Sequence, residues 1–217
     1  MQDKYEAILK KIENKSIKIG VLGLGYVGLP IAIEFAKKVS VIGFDIKEDR
    51  VEKIKRHEDP SRELSPEAFK NCDIEYTANP EDLKKANFHV VGVPTPIDKT
   101  NMPNLKPLLA ATTMVGKVLK KGDYVVYEST VYPGATEEEC VPILEAESGL
   151  KLGKDFKVGF YPERINPGDK VHTLTNTKKI VSGSDELALE NIAKVYELVI
   201  TTGVHRAPNI KVAEAGK

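Results

Sequence analysis

The sequence predicts an α/β fold, a doubly wound and mostly parallel sheet with helices on both faces. Short apolar runs alternate with helical stretches along the chain, a pattern typical of strands joined by crossover helices. The 217 residues are 41% hydrophobic and 29% charged, which is enough apolar material to bury a full core. No repeat or low-complexity linker interrupts this alternation.

Eight apolar runs are predicted to be strands. Each is rich in residues that favour extended backbone and is followed by a helical stretch or a turn signal. The last two runs are only four residues long. The predicted strands cover residues 17–22, 40–45, 74–77, 89–93, 124–128, 157–161, 179–182 and 203–206.

Helices are predicted between these strands. Asn79 and Asp185 each place a side-chain oxygen just before an acidic first turn, where it caps unpaired backbone amides. Residues 1–15 form a charged, helix-prone extension, and residues 210–217 predict the opening turns of a further helix. The other predicted helices start near Tyr26, Glu48, Pro80, Leu105, Thr136 and Glu186.

Charge and composition argue against several classes of partner. Lys plus Arg equals Asp plus Glu at 32 each, so no global basic field attracts nucleic acid. No apolar run approaches the roughly 18 residues of a membrane span, and the N-terminal residues lack a signal-peptide core. Cys72 and Cys140 show no metal-ligand spacing, and the four histidines are scattered. We therefore expect a cytoplasmic protein with no metal, no membrane and no nucleic acid.

A glycine-rich turn follows the first predicted strand and opens the next helix. Gly23 permits a tight turn, Gly25 lets the backbone approach a pyrophosphate, and Gly28 allows the helix to pack close to the strand. Tyr26 and Val27 lie where exposed amides at a helix start bind phosphate. In this strand-turn-helix context the spacing predicts a Rossmann-like dinucleotide site.

An acidic residue ends the second predicted strand. Asp45 lies about twenty residues beyond the glycine turn, where a carboxylate accepts hydrogen bonds from the adenosine ribose. It would repel a 2′-phosphate, so NAD is favoured over NADP, although Lys47 and Arg50 are close enough to weaken that preference. Arg50 is placed to contact the adenine or the ribose, or to remain a cation on the helix surface.

Two further predicted strands end in small or polar residues. Val93 ends the fourth strand, Pro94 and Thr95 follow it, and Ser129 and Thr130 follow the fifth. Because the carboxyl ends of parallel strands line the ligand crevice of a doubly wound sheet, these residues are predicted to face the cofactor. The competing interpretation is that both segments are ordinary turns.

The segment after the sixth predicted strand is crowded with charged and hydrogen-bonding groups between prolines. Glu163 lies at a strand's carboxyl end and is a candidate general base or water-positioning group. Arg164 and Lys170 are placed to meet phosphate or sugar oxygens. Ile165 and Asn166 complete the predicted substrate-binding segment with Glu163 and Arg164.

Together these segments resemble the N-terminal half of the UDP-glucose/GDP-mannose dehydrogenase family, the NAD-dependent nucleotide-sugar 6-dehydrogenases. The resemblance runs over nearly the whole chain, in the family's order. It implies a Rossmann-like fold and NAD as the cofactor. The matching segments are residues 23–28 (GLGYVG), 93–96 (VPTP), 128–136 (ESTVYPGAT), 162–170 (PERINPGDK) and 211–217 (KVAEAGK).

The loop at 162–170 resembles the branch of the family that acts on UDP-N-acetylhexosamines. UDP-glucose dehydrogenases usually carry a second glutamate at the place of Pro167. The substrate implied is UDP-N-acetylglucosamine, -galactosamine or -mannosamine, oxidised at C6 to the uronic acid for polysaccharide synthesis. The epimer stays open.

The resemblance also implies roles for three residues. The family removes two hydrides from one primary alcohol, reduces two NAD and passes through a thioester on a cysteine. Thr130 and Glu163 match the residues that hold the catalytic water and assist thioester hydrolysis. Lys217 matches a lysine that stabilises the developing oxyanion, an interaction strongest in the transition state.

The family resemblance also predicts three regions in this chain. These are the extension 1–15, an NAD-binding domain at 16–209 and the start of an interdomain helix at 210–217. The family's nucleophilic cysteine lies downstream in a glycine-rich motif, and neither Cys72 nor Cys140 has that setting. We therefore expect a fragment that binds NAD without completing the double oxidation, taken from a protein whose central helix builds a homodimer and whose second domain binds UDP.

Two other interpretations remain open on the sequence alone. A single-step hydroxyacid dehydrogenase also starts with a Gly-Leu-Gly turn and an Asp after the second strand, but it would not carry the loop at 162–170. A non-catalytic NAD-sensing module would bind the dinucleotide and use the remaining surface for a partner.

Overall fold

The structure is a computed structural model that describes residues 8, 10–12, 14, 16–97, 103–163 and 177–216. These residues contain eight strands, at the eight places the sequence predicts and within two residues of the predicted ends. The strands are β1 (Lys18–Leu22), β2 (Ser40–Phe44), β3 (Ile74–Thr77), β4 (Phe88–Val91), β5 (Tyr124–Tyr127), β6 (Lys157–Phe160), β7 (Lys179–Gly183) and β8 (Val204–Arg206).

The strands form one sheet in the order β3-β2-β1-β4-β5-β6-β7-β8. All neighbours are parallel except β6 and β7, which pair antiparallel with Phe160 opposite Ser182. The chain therefore moves outward in one direction from β1 to β3 and in the other from β4 onward. This reversal between β1 and β4 creates a crevice at the carboxyl ends of the strands. The predicted doubly wound, mostly parallel fold is confirmed.

Six α-helices cover the sheet in the described part of the chain. Both predicted helix caps are confirmed. The Asn79 side chain accepts a hydrogen bond from the Glu81 amide (3.2 Å), and the Asp185 side chain accepts one from the Ala188 amide (2.8 Å). The helices are α1 (Gly28–Ala36), α2 (Glu48–Lys55), α3 (Lys106–Val118), α4 (Val141–Ser148), α5 (Glu186–Glu197) and α6 (Ile210–Ala215).

The helix predicted near Tyr26 begins at Gly28, within two residues of the prediction. Two helical predictions need correction. The helix predicted near Pro80 is a 3-10 helix over Pro80–Lys85. The helix predicted from Thr136 opens as a π-helical turn over Thr136–Cys140 before α4. The wider turn is closed by the Val141 amide, which donates to the Thr136 carbonyl, and Pro142 follows directly with no amide hydrogen of its own. A second 3-10 helix, Pro66–Phe69, was not predicted.

The sheet separates two hydrophobic cores. Ile19 and Val21 of β1 point into the first core, which α1 and α5 cover, while Leu22 points into the second, which α3 and α4 cover. Ile8 from the N-terminal extension is helical and packs into the first core. Each fully buried aliphatic side chain contributes roughly 1.5–3 kcal/mol to folding, so both faces of the central strands are stabilised.

The junction of β1 and α1 is the most closely packed turn of the crevice. Gly23 adopts a φ of 91°, a conformation that L side chains rarely take. A Cβ at Gly28 would lie 1.8 Å from the Gly23 carbonyl oxygen, and one at Gly92 would lie 3.3 Å from the Gly28 Cα. The helix therefore meets the ends of β1 and β4 with no room for a side chain between them.

The structure also describes the burial of both cysteines and the length of the helices. Cys72 is half-buried and Cys140 buried, and both are free thiols. No helix in the described ranges is long and apolar enough to cross a membrane. Within the same ranges, no three His, Cys, Asp or Glu side chains converge as metal ligands.

We predict that Gly28→Ala lowers the free energy of unfolding by about 3 kcal/mol, because the new methyl group collides with a backbone carbonyl that cannot rotate away. Gly25→Ala is the matched control. Its added Cβ would meet only the Arg50 Nη1 atom, at 3.6 Å, so its stability should stay within about 0.5 kcal/mol of the parent. Urea unfolding followed by circular dichroism measures both. Equal stability of the two variants would contradict the packing argument.

Candidate active site

A cavity of about 260 Å³ lies at the carboxyl ends of β1, β2 and β4, where the strand order reverses. Six of the predicted cofactor-binding residues line it: Gly23, Gly25, Asp45, Arg50, Val93 and Pro94. The lining residues that sequence reasoning missed are mostly apolar and include one wall contributed by α3. They are Leu22, Phe44, Ile46, Lys47, Gly92, Pro107, Ala110, Ala111 and Met114.

Asp45 is held rigidly at the edge of this cavity. Its carboxylate accepts hydrogen bonds from the Leu24 amide (2.9 Å) and the Lys47 amide (3.0 Å), and it forms an ion pair with Arg50 (3.1 Å). The residue is only 4% exposed. A carboxylate fixed in this way has one orientation at the cavity wall, where it can accept a hydrogen bond from a ribose hydroxyl.

The glycine turn exposes the start of α1 to the same cavity. Val27 precedes the helix, and no side chain in the described structure caps its first amides. Tyr26 is 53% exposed and leaves the turn open to solvent. Because a Cβ at Gly25 would be 3.6 Å from its nearest neighbour, Arg50, there is space beside the turn for a ligand. Uncapped amides at a helix start attract phosphate oxygens.

The loops after β4 and β5 are joined to each other. The Ser129 hydroxyl donates a 2.6 Å hydrogen bond to the Val93 carbonyl and is buried. The Thr95 Oγ1 atom is buried and has no hydrogen-bond partner among the described residues. Thr130, the next residue after Ser129, is exposed. A buried hydroxyl without a partner costs free energy unless a ligand or water satisfies it, so Thr95 fits a polar cofactor group.

Glu163 follows β6, the strand beside β5, and is buried at 7% exposure. One carboxylate oxygen forms a 2.9 Å ion pair with Lys179, and the other accepts a 3.1 Å hydrogen bond from Tyr161. Its predicted neighbours Arg164, Ile165 and Asn166 lie outside the described residues, as does Lys217.

A second buried carboxylate fastens α6 to the loop after β5. The Glu214 side chain is 2% exposed and accepts hydrogen bonds from the Gly134 amide (2.5 Å) and the Thr136 amide (2.9 Å). Lys211, on the outside of the same helix, forms a 2.8 Å ion pair with Glu138. α6 is therefore fixed to the segment that follows Thr130.

Neither cysteine is set up as a nucleophile. Burial raises the pKa of Cys140 to about 11, and burial also raises the pKa of Cys72. The thiolate is the reactive form of cysteine, and both shifts reduce its population at neutral pH.

Two residues near the crevice escaped the sequence prediction although a signal for each exists. Lys179 opens a predicted strand that is otherwise apolar, and Glu214 shares a helix face with the buried Ile210 and Ala213. A charge in an apolar stripe indicates a buried partner, but only the folded chain shows which one.

The switch-point crevice, the glycine turn and the buried Asp45 define a dinucleotide-binding domain of the Rossmann class. Residues 17–200 match the sequence model described as UDP-glucose/GDP-mannose dehydrogenase family, NAD binding domain. The chain belongs to this family, and NAD is its cofactor. This confirms the family and the cofactor that the motifs predict.

Two known proteins of similar sequence support this family assignment. The chain is 60% identical to the protein CapL of Staphylococcus aureus over 92% of this chain and 47% of that protein. It is 51% identical to the UDP-N-acetyl-D-glucosamine 6-dehydrogenase of Pseudomonas aeruginosa over 94% of this chain and 48% of that enzyme. The chain thus spans about half the length of these curated relatives.

A solved structure shows the same fold. The NDP-N-acetyl-D-galactosaminuronic acid dehydrogenase of Methanosarcina mazei Go1 superposes with a TM-score of 0.89 at 32% identity. The superposition covers 99% of this chain and 48% of that one.

We predict that Asp45→Ala weakens NAD binding by roughly 1–3 kcal/mol, because charge-assisted hydrogen bonds to the ribose are lost. Asp45→Asn keeps the side-chain volume and leaves one oxygen to accept from the Leu24 amide, but its NH2 group then faces the Lys47 amide. It should melt below the parent by less than the alanine variant does, and it should also bind NAD more weakly. Titration calorimetry measures both affinities, and unchanged binding in the alanine variant would remove Asp45 from the site.

We predict that Glu214→Gln lowers the free energy of unfolding by roughly 1.5–3 kcal/mol, because two buried amides then face a neutral side chain. Lys211→Met breaks only the exposed ion pair on the same helix and should leave unfolding unchanged within error. Thermal unfolding of the two variants compares them directly. If both variants melted with the parent, Glu214 would not hold the loop.

Proposed function

We propose that this chain is the NAD-binding half of a UDP-N-acetylhexosamine 6-dehydrogenase, which oxidises the C6 primary alcohol of a nucleotide sugar to the carboxylate. The observation that supports the proposal is that a pocket fitting NAD and a buried, ion-paired carboxylate lie at the carboxyl ends of strands in one sheet. The Asp45 pocket lies at one end, and the buried Glu163 follows a strand further along the same edge. The 51% identical P. aeruginosa relative is named as a UDP-N-acetyl-D-glucosamine 6-dehydrogenase.

The first part of the crevice would hold NAD. Asp45 would accept hydrogen bonds from the adenosine ribose, and the amides after Gly25 would bind the diphosphate. Thr95 would satisfy its buried hydroxyl on the cofactor, while Ser129 keeps the two loops together. NAD, when bound, accepts the hydride that is removed from C6 of the sugar.

The second part of the crevice would bind the reacting water and stabilise negative charge on the substrate. The full reaction consumes one primary alcohol, one water and two NAD⁺, and yields one carboxylate, two NADH and three protons. In our proposal Thr130 and Glu163 hold the water that supplies the second carboxylate oxygen. Lys217 would stabilise negative charge on the C6 oxygen. The sugar would be bound by Glu163, Arg164, Ile165 and Asn166.

The complete reaction needs more protein than this chain. We propose the boundaries 16–209 for the NAD-binding domain and 210–217 for the start of an interdomain helix. We further propose that a downstream segment supplies a nucleophilic cysteine and a UDP-binding domain, because both cysteines of this chain have raised pKa values. The full-length protein would act as a homodimer in the cytoplasm, where free thiols stay reduced.

The test is the stoichiometry of the natural full-length protein. We predict two NADH for each UDP-N-acetylhexosamine consumed, with a uronic acid as the product. NADH absorbance and mass spectrometry of the nucleotide sugar measure the two quantities. The 217-residue chain alone should bind NAD and form no acid.

Other stoichiometries would identify the alternatives. One NADH per molecule of a simple hydroxyacid, with no turnover of any UDP-sugar, would establish the single-step dehydrogenase. NAD binding by the full-length protein with no oxidation of either substrate class would favour the sensing module. Either outcome would refute the proposed function.

A further inference from the structure

A lysine reaches the carboxyl edge of the sheet because one strand runs backward. β7 is antiparallel to β6, with Gly159 opposite Gly183 and Phe160 opposite Ser182. The first residue of β7 therefore lies beside the last residues of β6. That first residue is Lys179, and it is 2% exposed. A lysine buried to this extent requires a specific partner.

Its partner is the carboxylate proposed to handle water. The Lys179 Nζ atom lies 2.9 Å from Glu163 Oε1, and the Tyr161 hydroxyl donates to Glu163 Oε2 over 3.1 Å. Each carboxylate oxygen thus has its own donor, and the two donors come from different strands or strand ends. A carboxylate bound at both oxygens has one orientation, which matters for a group that must align a water molecule.

The contacts continue to the loop of Thr130. The Tyr161 ring stacks on Tyr196 with centroids 4.4 Å apart, and the Tyr196 hydroxyl donates to Glu128 Oε1 over 2.6 Å. Burial, followed by the charge of Glu128, raises the pKa of Tyr196 well above its ordinary value, so this hydroxyl keeps its proton. Glu128 is two residues before Thr130. A continuous set of packed groups therefore links the two residues that we assign to water.

We propose that Lys179 is a positioning residue for the reaction: it fixes the Glu163 carboxylate relative to the loop of Thr130 without touching substrate. This inference rests on the proposed function of Glu163. A purely structural role is the competing explanation. It is a weak one, because a buried ion pair is often no more stabilising than apolar side chains of the same volume.

The experiment compares Lys179→Met with Lys179→Arg in the natural full-length protein. Methionine keeps the length and removes the charge, so kcat for acid formation should fall roughly 10- to 100-fold while the KM for NAD stays unchanged. Arginine retains a cation next to Glu163 and should restore most of kcat.

Lys157→Met is the matched control. Lys157 is also buried, on the adjacent strand β6, but it pairs with Asp185 at the opposite edge of the sheet. Both methionine variants lose a buried lysine and should melt at lower temperature. Only the change at Lys179 should lower kcat. An equal fall in kcat for both variants would mean general destabilisation and would overturn the proposal.

A double variant tests whether Lys179 acts through Glu163. If it does, Glu163→Gln combined with Lys179→Met should be no slower than Glu163→Gln alone. Losses that multiply would overturn the proposal, as would a Lys179→Met enzyme with the parent kcat. If Lys179→Met does not fold, Tyr161→Phe removes the other donor to Glu163 and keeps the stacked ring. It should lower kcat in the same way, and parent kcat in that variant would refute positioning.

The two proposals fail in different ways. If the parent protein oxidises no UDP-N-acetylhexosamine, the proposed function is wrong. If the parent is active and the variants at Lys179 and Tyr161 keep its kcat, only the positioning role is wrong.

Discussion

The approach of α1 to the ends of β1 and β4 is the constraint on which the rest of the crevice depends. Gly28 lies so close to the Gly23 carbonyl that no side chain fits, and this brings the first amides of the helix to the cavity. The same turn places the Leu24 amide against Asp45, which is fixed at the end of β2. One backbone contact therefore sets both the phosphate end and the ribose end of the site, because the helix, the turn and the carboxylate cannot move independently.

The opposite end of the crevice is organised by buried charges instead of close backbone packing. Lys179 reaches Glu163 because β7 runs antiparallel, and Glu214 reaches the Gly134 amide because α6 returns across the sheet. Each of these carboxylates is bound at both oxygens: Glu163 by Tyr161 and the more distant Lys179, and Glu214 by two amides about 80 residues away. A group held on two sides keeps its orientation when a substrate arrives, and such preorganisation is what a water-handling site requires. The domain thus combines a cofactor crevice shaped by close backbone packing with a carboxyl edge organised by buried ion pairs and hydrogen bonds.

Much of this fold was readable from the sequence, for a physical reason. The strands are short apolar runs, and Asp45 and Ser129 lie within two residues of strand ends, so their place at the carboxyl edge is determined locally. Contacts between distant segments were not readable. The α3 wall of the cavity and the partners of Lys179 and Glu214 depend on strand order and direction, which apolar periodicity does not encode. The segment from Thr136 was predicted as an ordinary helix, and its π-helical turn was not foreseen. The apolar pattern does not show which backbone hydrogen bonds form beside Pro142.

The central claim is that the glycine turn and Asp45 form one cofactor site, and a crystal structure of this chain with NAD tests it most directly. The account predicts diphosphate oxygens within hydrogen-bond distance of the amides at residues 25–28 and the adenosine ribose hydroxyls on the Asp45 carboxylate. A crevice that stays empty at saturating NAD, is filled by its own side chains, or holds the dinucleotide away from Asp45 would contradict it.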